Sequence, residues 1–322
     1  MQNNKHRVEN EHSSHQNSLN VRYKISETKN SKIYQVAKTE HHSEQILKVF
    51  KANKIDLFLL NSTLQKINDL PSSNIIKITA SGIGTFPTKK KKSTPMCYII
   101  MERAKGEFFD YILNYKKGFT EQQSKVLFYQ IIKALNSFEE RGLVCSPIKA
   151  NNILLDAHYR IKITDFVYEN ITPCKRSNNH TELASLLFSM VTGRNPLLKG
   201  RLFTKKKMSS FWLSAKEQSK INFTEEFIDL INKLFLNELI DKSKGRNLYE
   251  NIMNHPWLKG VNDEMIISGA GTTEFYKKII EELKEREGYI KESIKIEEKE
   301  NERNEKVYRS SSVIEEEMMF IL

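Results

Sequence analysis

Residues 118–156 read GFTEQQSKVLFYQIIKALNSFEERGLVCSPIKANNILLD, and 160–166 follow as RIKITDF. Val126, Leu127, Ile131, Ile132 and Leu135 recur at helical spacing and place one face of a long helix in a core. Thr120-Glu121 suits its start as a cap, and Gly142 marks its stop. NILLD and RIKITDF are short apolar runs bounded by polar residues, so both are expected to be strands.

Upstream of this block the pattern is β-rich. VRYKI, IYQVAK and QILKVF within residues 21–50 are broken by polar stretches and form an expected antiparallel meander. Residues 55–70 have helical spacing at Ile55, Phe58, Leu59, Leu64 and Ile67, ending at Pro71-Ser72-Ser73. NIIKITASG and CYIIMERA (97–104) are two further strand candidates. Downstream, FFDYILNY and residues 180–193, 224–236 and 248–258 read as helices. A small β-rich part therefore precedes a larger helical one, with no internal repeat.

Composition narrows the class. The chain has 322 residues, 39% hydrophobic and 28% charged, with 12 Gly and 7 Pro, which excludes collagenous and linker-dominated chains. No apolar run approaches the roughly 18 residues of a membrane span, and the first twenty residues lack a signal-peptide core. Three widely spaced cysteines, Cys97, Cys145 and Cys174, indicate neither a disulfide framework nor a zinc site. The expected location is the cytoplasm, with the nucleus left open.

The net charge of +11 is uneven, because residues 272–322 carry ten basic and fourteen acidic side chains. The densest cationic run, Lys89 to Lys92, has no interleaved aromatics on which bases would stack, so a nucleic-acid partner is not expected.

The block quoted first resembles the heart of the protein-kinase catalytic domain, whose loop reads H-R-D-L-K-x-x-N before a strand ending in D-F-G. Here those places hold Cys145, Ser146, Pro147, Ile148, Lys149 and Asn152, then Asp165, Phe166 and Val167. QILKVF resembles the V-A-I-K strand, with Lys48 as its lysine, and CYIIMERAKGEFFDYI resembles the hinge. FWLSAKEQSK, FTEEFIDLINKLF and NIMNHPWL resemble the last helices of calcium/calmodulin-dependent-type serine/threonine kinases, so the likeness runs over roughly 22–258.

The resemblance implies an α+β, two-lobed protein-kinase-like fold. Its parts would be a polar leader at 1–20 and a domain at 21–258, divided into an N-lobe at 21–101 and a C-lobe at 105–258. A charged helical tail at 259–322 would follow. It also implies nucleotide-binding positions at Ile25, Ile33, Ile46, Lys48, Met101 as gatekeeper, Glu102 to Ala104 as adenine-facing backbone, Glu107 near the ribose, Lys149 and Leu154. Asn152 and Asp165 would hold magnesium.

The departures from the family pattern are chemical. Phosphoryl transfer needs positioned charge and a carboxylate to receive the hydroxyl proton. Pro147 stands in that carboxylate's place and has neither carboxylate nor backbone N–H. The glycine loop falls on Ser26, Thr28 and Ser31, each adding a Cβ where backbone should approach phosphate. Ile46 replaces a small adenine-lining alanine, at an overpacking cost on the order of 1–3 kcal/mol. The helix positions from which a glutamate would pair with Lys48 are Leu60, Asn61, Ser62 and Thr63, with Asp56 at least a turn too early.

Counting back from Gly193 puts the family's helix-anchoring Asp at Asn179, only fourteen positions after Asp165, where active members use about 35. The missing length would remove the activation segment and the A-P-E motif, leaving Arg246 without its usual partner.

The expected function is thus a catalytically impaired binding or scaffolding module, a pseudokinase with weak or absent ATP and Mg²⁺ binding and a protein partner. The alternative is a residual serine/threonine kinase. The tail has Phe275, Ile279, Ile280 and Leu283 on one helical face, either docked or, as the favoured expectation, largely solvated. It holds no EF-hand pattern, so no calcium site is expected.

Overall fold

The computed structural model describes residues 19–27, 31–38, 44–51, 57–87, 93–104, 118–143, 148, 150–164, 179–196, 204–239, 247–263, 266, 281–285, 288 and 319–320. Of the sequence expectations, the lysine run, FFDYILNY, Glu107, Cys145 to Pro147, Lys149, Asp165 to Val167, Cys174, Arg246, Phe275, Ile279 and Ile280 lie outside the described residues. The chain divides into two compact units, Met1–Lys54 with Thr79–Met101 and Ile314–Leu322, and Ile55–Ile78 with Glu102–Val313.

The first unit is a sheet. Its strands are β1 (Leu19–Glu27), β2 (Ser31–Lys38), β3 (Glu44–Lys51), β4 (Ile78–Pro87) and β5 (Ser93–Glu102). They lie in the order β4-β5-β3-β2-β1, and β8 (Met319–Phe320), which the helical expectation for the tail did not contain, pairs with β1 at the edge. Alternation along the strands decides the core. Tyr34 opposes Leu47 on one face and clusters with Val36, Val49 and Ile100, under Met96 and Tyr98. NIIKITASG forms a strand only from Ile78, because Asn74 to Lys77 bond elsewhere.

The second unit begins with α1 (Leu57–Asn68), which buries Leu60, Thr63, Leu64 and Ile67. Phe58 and Leu59, expected on the core face, are 82% and 39% exposed. The helix is rotated by about one residue from the expected stripe, since Leu60, Leu64 and Ile67 at i, i+4 and i+7 seal better than 58 and 59.

The long helix α2 (Glu121–Glu140) carries the unit, with Val126, Leu127, Ile131, Ile132 and Leu135 all buried. Thr120 and Gln123 form a reciprocal capping box at its start. At its end Gly142 takes φ 65°, and the Leu143 N–H donates to Phe138 O, the six-to-one closure that glycine permits. Gly118 is required for a different reason: a Cβ there would clash with Val191 O at the end of the next long helix.

A short hairpin, β6 (Ile153–Leu155) and β7 (Ile161–Ile163), follows a 3₁₀ turn at Ala150–Asn152. Further helices among the described residues are α3 (Asn179–Thr192), α4 (Lys205–Ser219), α5 (Glu225–Phe235) and α6 (Leu248–Met253), the last followed by a 3₁₀ turn at Pro256–Leu258. The expected single helix 248–258 breaks because Pro256 has no N–H to donate, while His255 caps the new turn through Trp257 N.

Glu121 ties three elements together, its carboxylate accepting from Thr224 N at 2.9 Å, Thr224 Oγ1 at 2.6 Å and Trp257 Nε1 at 3.1 Å. Trp257 is fully buried against Phe128 and Phe227. Burying aromatic side chains of this kind contributes about 1.5–3 kcal/mol each.

The tail is not simply solvated. Leu283 is 1% exposed, and Gln123 Nε2 donates to Glu282 Oε2 at 2.8 Å, so residues 281–285 dock beside the first turn of α2. No helix among the described residues is long and apolar enough to cross a membrane.

Candidate functional site

The sheet register places several of the expected nucleotide residues together. Ile33 opposes Lys48, and Gln35 opposes Ile46, so these four share the face opposite the Tyr34 and Leu47 core. On β5 Ile100 belongs to that core cluster, and alternation therefore puts Met101 on the same face as Lys48. Met101 is 6% exposed, whereas Ile33, Ile46 and Lys48 are half-buried. Ile25 is 41% exposed and sits at an irregularity between Lys24 and Ser26, which takes it out of strict alternation. Cys97 is buried in β5, and that burial pushes its thiol pKa up, leaving it unreactive.

In the second unit, Glu102, the first residue of the expected hinge, is already engaged. The Glu102 N–H donates to Lys77 O at 2.9 Å, and its Oε1 accepts from Lys77 N at 2.9 Å and Lys162 Nζ at 2.7 Å. Lys162 is 9% exposed, so this ion pair fixes Glu102 against β7. Of the adenine-facing backbone expected at Glu102, its carbonyl is the group these bonds leave over. Ala104 is half-buried.

Asn152 closes the 3₁₀ turn, and its backbone carbonyl accepts from Thr164 N at 3.0 Å, so the turn is fastened to the end of β7, one residue before Asp165. Leu154 opposes Lys162 in the hairpin and is half-buried. Asp156 accepts from His158 N, Arg160 N and Arg160 Nε, so its carboxylate closes the turn between β6 and β7. Among the described residues no cluster of three metal-ligating side chains occurs, although Asp165 lies outside them.

One anchoring residue escaped the sequence reading. Asn179, where the resemblance implied a carboxylate, is the first residue of α3, and Glu182, one turn later, accepts the Ile148 N–H through Oε2 at 3.2 Å. The bond reaches the residue directly after Pro147. A carboxylate at the fourth residue of a helix following a lost one was the available signal.

A second missed network holds the segment after α1. Asn74 Nδ2 donates to Gln130 Oε1 and to Ile161 O, and Gln130 Oε1 also accepts the Ile161 N–H, all at 3.0 Å. Ile75 bridges Ile163 in parallel, while Ile76 N and Ile163 N complete the bonds on either side.

Residues 19–182, just over half of the chain, match the family described as "Protein kinase domain". The chain belongs to the protein kinase superfamily. It is 30% identical over 166 residues to NUAK family SNF1-like kinase 1 of Mus musculus, and 31% identical over the same length to the human protein of that name. Each alignment covers 49% of this chain and 24% of the relative, so the match spans about a quarter of those proteins. Carbon catabolite-derepressing protein kinase of Candida glabrata is 38% identical over 80 residues, covering 25% of this chain and 13% of that one.

The kinase domain thus has the two-lobed composition expected, a five-stranded antiparallel sheet in its N-terminal part and a mostly helical region after it. The family uses ATP and Mg²⁺. The connection from Ile163 at the end of β7 to Asn179 at the start of α3 is short, and α1, LFLLNSTLQKIN, contains no acidic residue.

Proposed function

We propose that this kinase domain is a binding and regulatory module with impaired phosphotransfer, a pseudokinase that engages a protein partner. The observation that carries the reading is Pro147 in the proton acceptor's place, since no side chain chemistry at proline can take a hydroxyl proton. Two independent features support it. Helix α1 offers no carboxylate to orient Lys48, and the segment between β7 and α3 is too short for the family's peptide platform.

Nucleotide binding is a separate question from transfer. Ile33, Lys48 and Met101 on one sheet face suit a flat base and phosphate charge, whereas Ile46 crowds that face and the serines and threonine at 26, 28 and 31 replace the glycine cradle. Lys48 and Lys149 would meet phosphate, the Glu102 carbonyl and Ala104 the base, and Asn152 and Asp165 the magnesium ion, which would neutralise phosphate charge. Weak or absent binding is the expected result.

A radiolabelled-ATP assay on the purified chain tests the reading: incorporation no greater than a mock purification is expected. Phosphorylation that vanishes on Asp165→Ala would establish the second reading, a residual serine/threonine kinase, which the kinship with named kinases favours. Thermal-shift titration with ATP and Mg²⁺ reports binding on its own, at about 2.7 kcal/mol of stabilisation for ligand at 100 times Kd.

A further inference from the structure

We propose that the groove between α4 and α5 is a docking surface for an amphipathic helix of a partner protein that presents acidic side chains. The proposal rests on the binding-module reading and gives it a place and a partner chemistry. Helix α4 is 15 residues long yet buries only Met208 and Ala215. Ser209, Trp212, Leu213 and Lys216, at i, i+3, i+4 and i+7, line one side of a groove of about 600 Å³, and Asn222, Phe223 and Ile228 line the other.

Leu213 is 67% exposed there, a large apolar side chain with no core to enter. The floor beneath it is rigid. Trp212 Nε1 donates to Asn232 Oδ1 at 2.8 Å, and the Trp212 ring meets Phe223 at 5.3 Å and Phe227 at 6.1 Å. Phe223 in turn stacks on Phe227 at 5.4 Å. A floor held this way loses little conformational freedom when covered.

The stripe from Ser209 to Lys216 is about 10 Å long, two helical turns, which matches the spacing of anchors on a partner helix. Charge selects the partner's sign. Lys216 is the one charged residue lining the groove, and between Lys205 and Lys220 five exposed lysines stand against the single acid Glu217. Glu225 and Glu226 begin α5 outside the lining, so acidic groups of the partner are steered to the α4 side.

The test is fluorescence anisotropy on the full chain with two synthetic helices that share a leucine stripe and differ only in carrying glutamates or lysines beside it. The glutamate helix is expected to bind, the lysine helix to bind at least about tenfold more weakly, and Leu213→Asp to weaken the glutamate helix by about tenfold or more. Lys216→Glu should reverse the preference. Circular dichroism of each variant checks folding, which substitution of these exposed residues leaves intact.

Equal binding of both helices, or no effect of Leu213→Asp, overturns the proposal. So does tighter binding of a peptide of this chain's own residues 289–302, of a single-stranded oligonucleotide, or of a second copy of the chain by sedimentation. Phosphotransfer in the radiolabelled assay would remove the reading beneath while leaving the anisotropy result standing, so the two failures are distinct.

Discussion

Replacing Gln130 by Met should loosen the second unit by an amount the structure sets. Gln130 is 1% exposed, and its Oε1 accepts from two buried donors, Asn74 Nδ2 and the Ile161 N–H. Methionine matches the length and removes the acceptor. The Ile161 N–H then has no partner in a site where Ile161 is fully buried, and Asn74 keeps only its bond to Ile161 O. The lost bond from Gln130 Nε2 to Val126 O, at 3.2 Å, matters least, because a helical carbonyl already accepts the backbone bond.

Each of the two abandoned buried donors costs about 1–3 kcal/mol, and the apolar side chain recovers part of that, so the net loss is about 2–4 kcal/mol. At about 2–4 °C per kcal/mol the melting midpoint falls by about 5–15 °C. Both tryptophans, Trp212 and Trp257, lie in this unit, so urea unfolding followed by their fluorescence reads it directly. Asn74→Leu in the same background should cost less than it does alone, since the donor it removes is already orphaned. A loss under about 1 kcal/mol, or strict additivity of the two changes, would refute the reasoning.

Glu102→Ala should destabilise by about 1–3 kcal/mol, because it strands Lys162 and the Lys77 N–H; adding Lys162→Met should restore most of the loss in the same urea experiment. Burial holds the His255 pKa below its ordinary value despite the neighbouring Asp229, so the folded state binds fewer protons than the unfolded one. Stability is therefore full above about pH 6.5 and declines as pH falls below it, and His255→Asn, which retains an acceptor for Trp257 N, should flatten the melting midpoint between pH 7 and pH 5. Glu182→Ala should speed hydrogen exchange at the Ile148 amide by about fivefold or more, whereas Glu182→Gln, which keeps an acceptor oxygen, should change it little.

The elements whose signal is local were legible in the chain itself. The helix cap at Thr120, the apolar face of α2 and the stop at Gly142 depend on a few neighbouring residues, and all appear where the pattern places them. The strand pairing that sets Lys48 beside Ile33 and Ile46 follows from alternation, and the order of motifs sufficed to name the family. Pro147, on which the proposed loss of phosphotransfer rests, is read from the sequence alone.

Other features depend on what lies across a contact. Phe58 and Leu59 satisfy helical spacing as well as Leu60 does, and only the packing of α1 tells which of them meets a core. Asn74, Gln130 and Ile161 are separated by 56 and 31 positions, so nothing local marks them as one hydrogen-bond network. Glu182 looks like an ordinary first-turn acid until the loop bearing Ile148 folds against it. The sequence by itself determined the family, because that is a matter of residue identity in order. Tertiary structure alone decided the anchoring bonds and the exposed Leu213 groove, because burial and hydrogen-bond partners are properties of pairs that the linear chain holds apart.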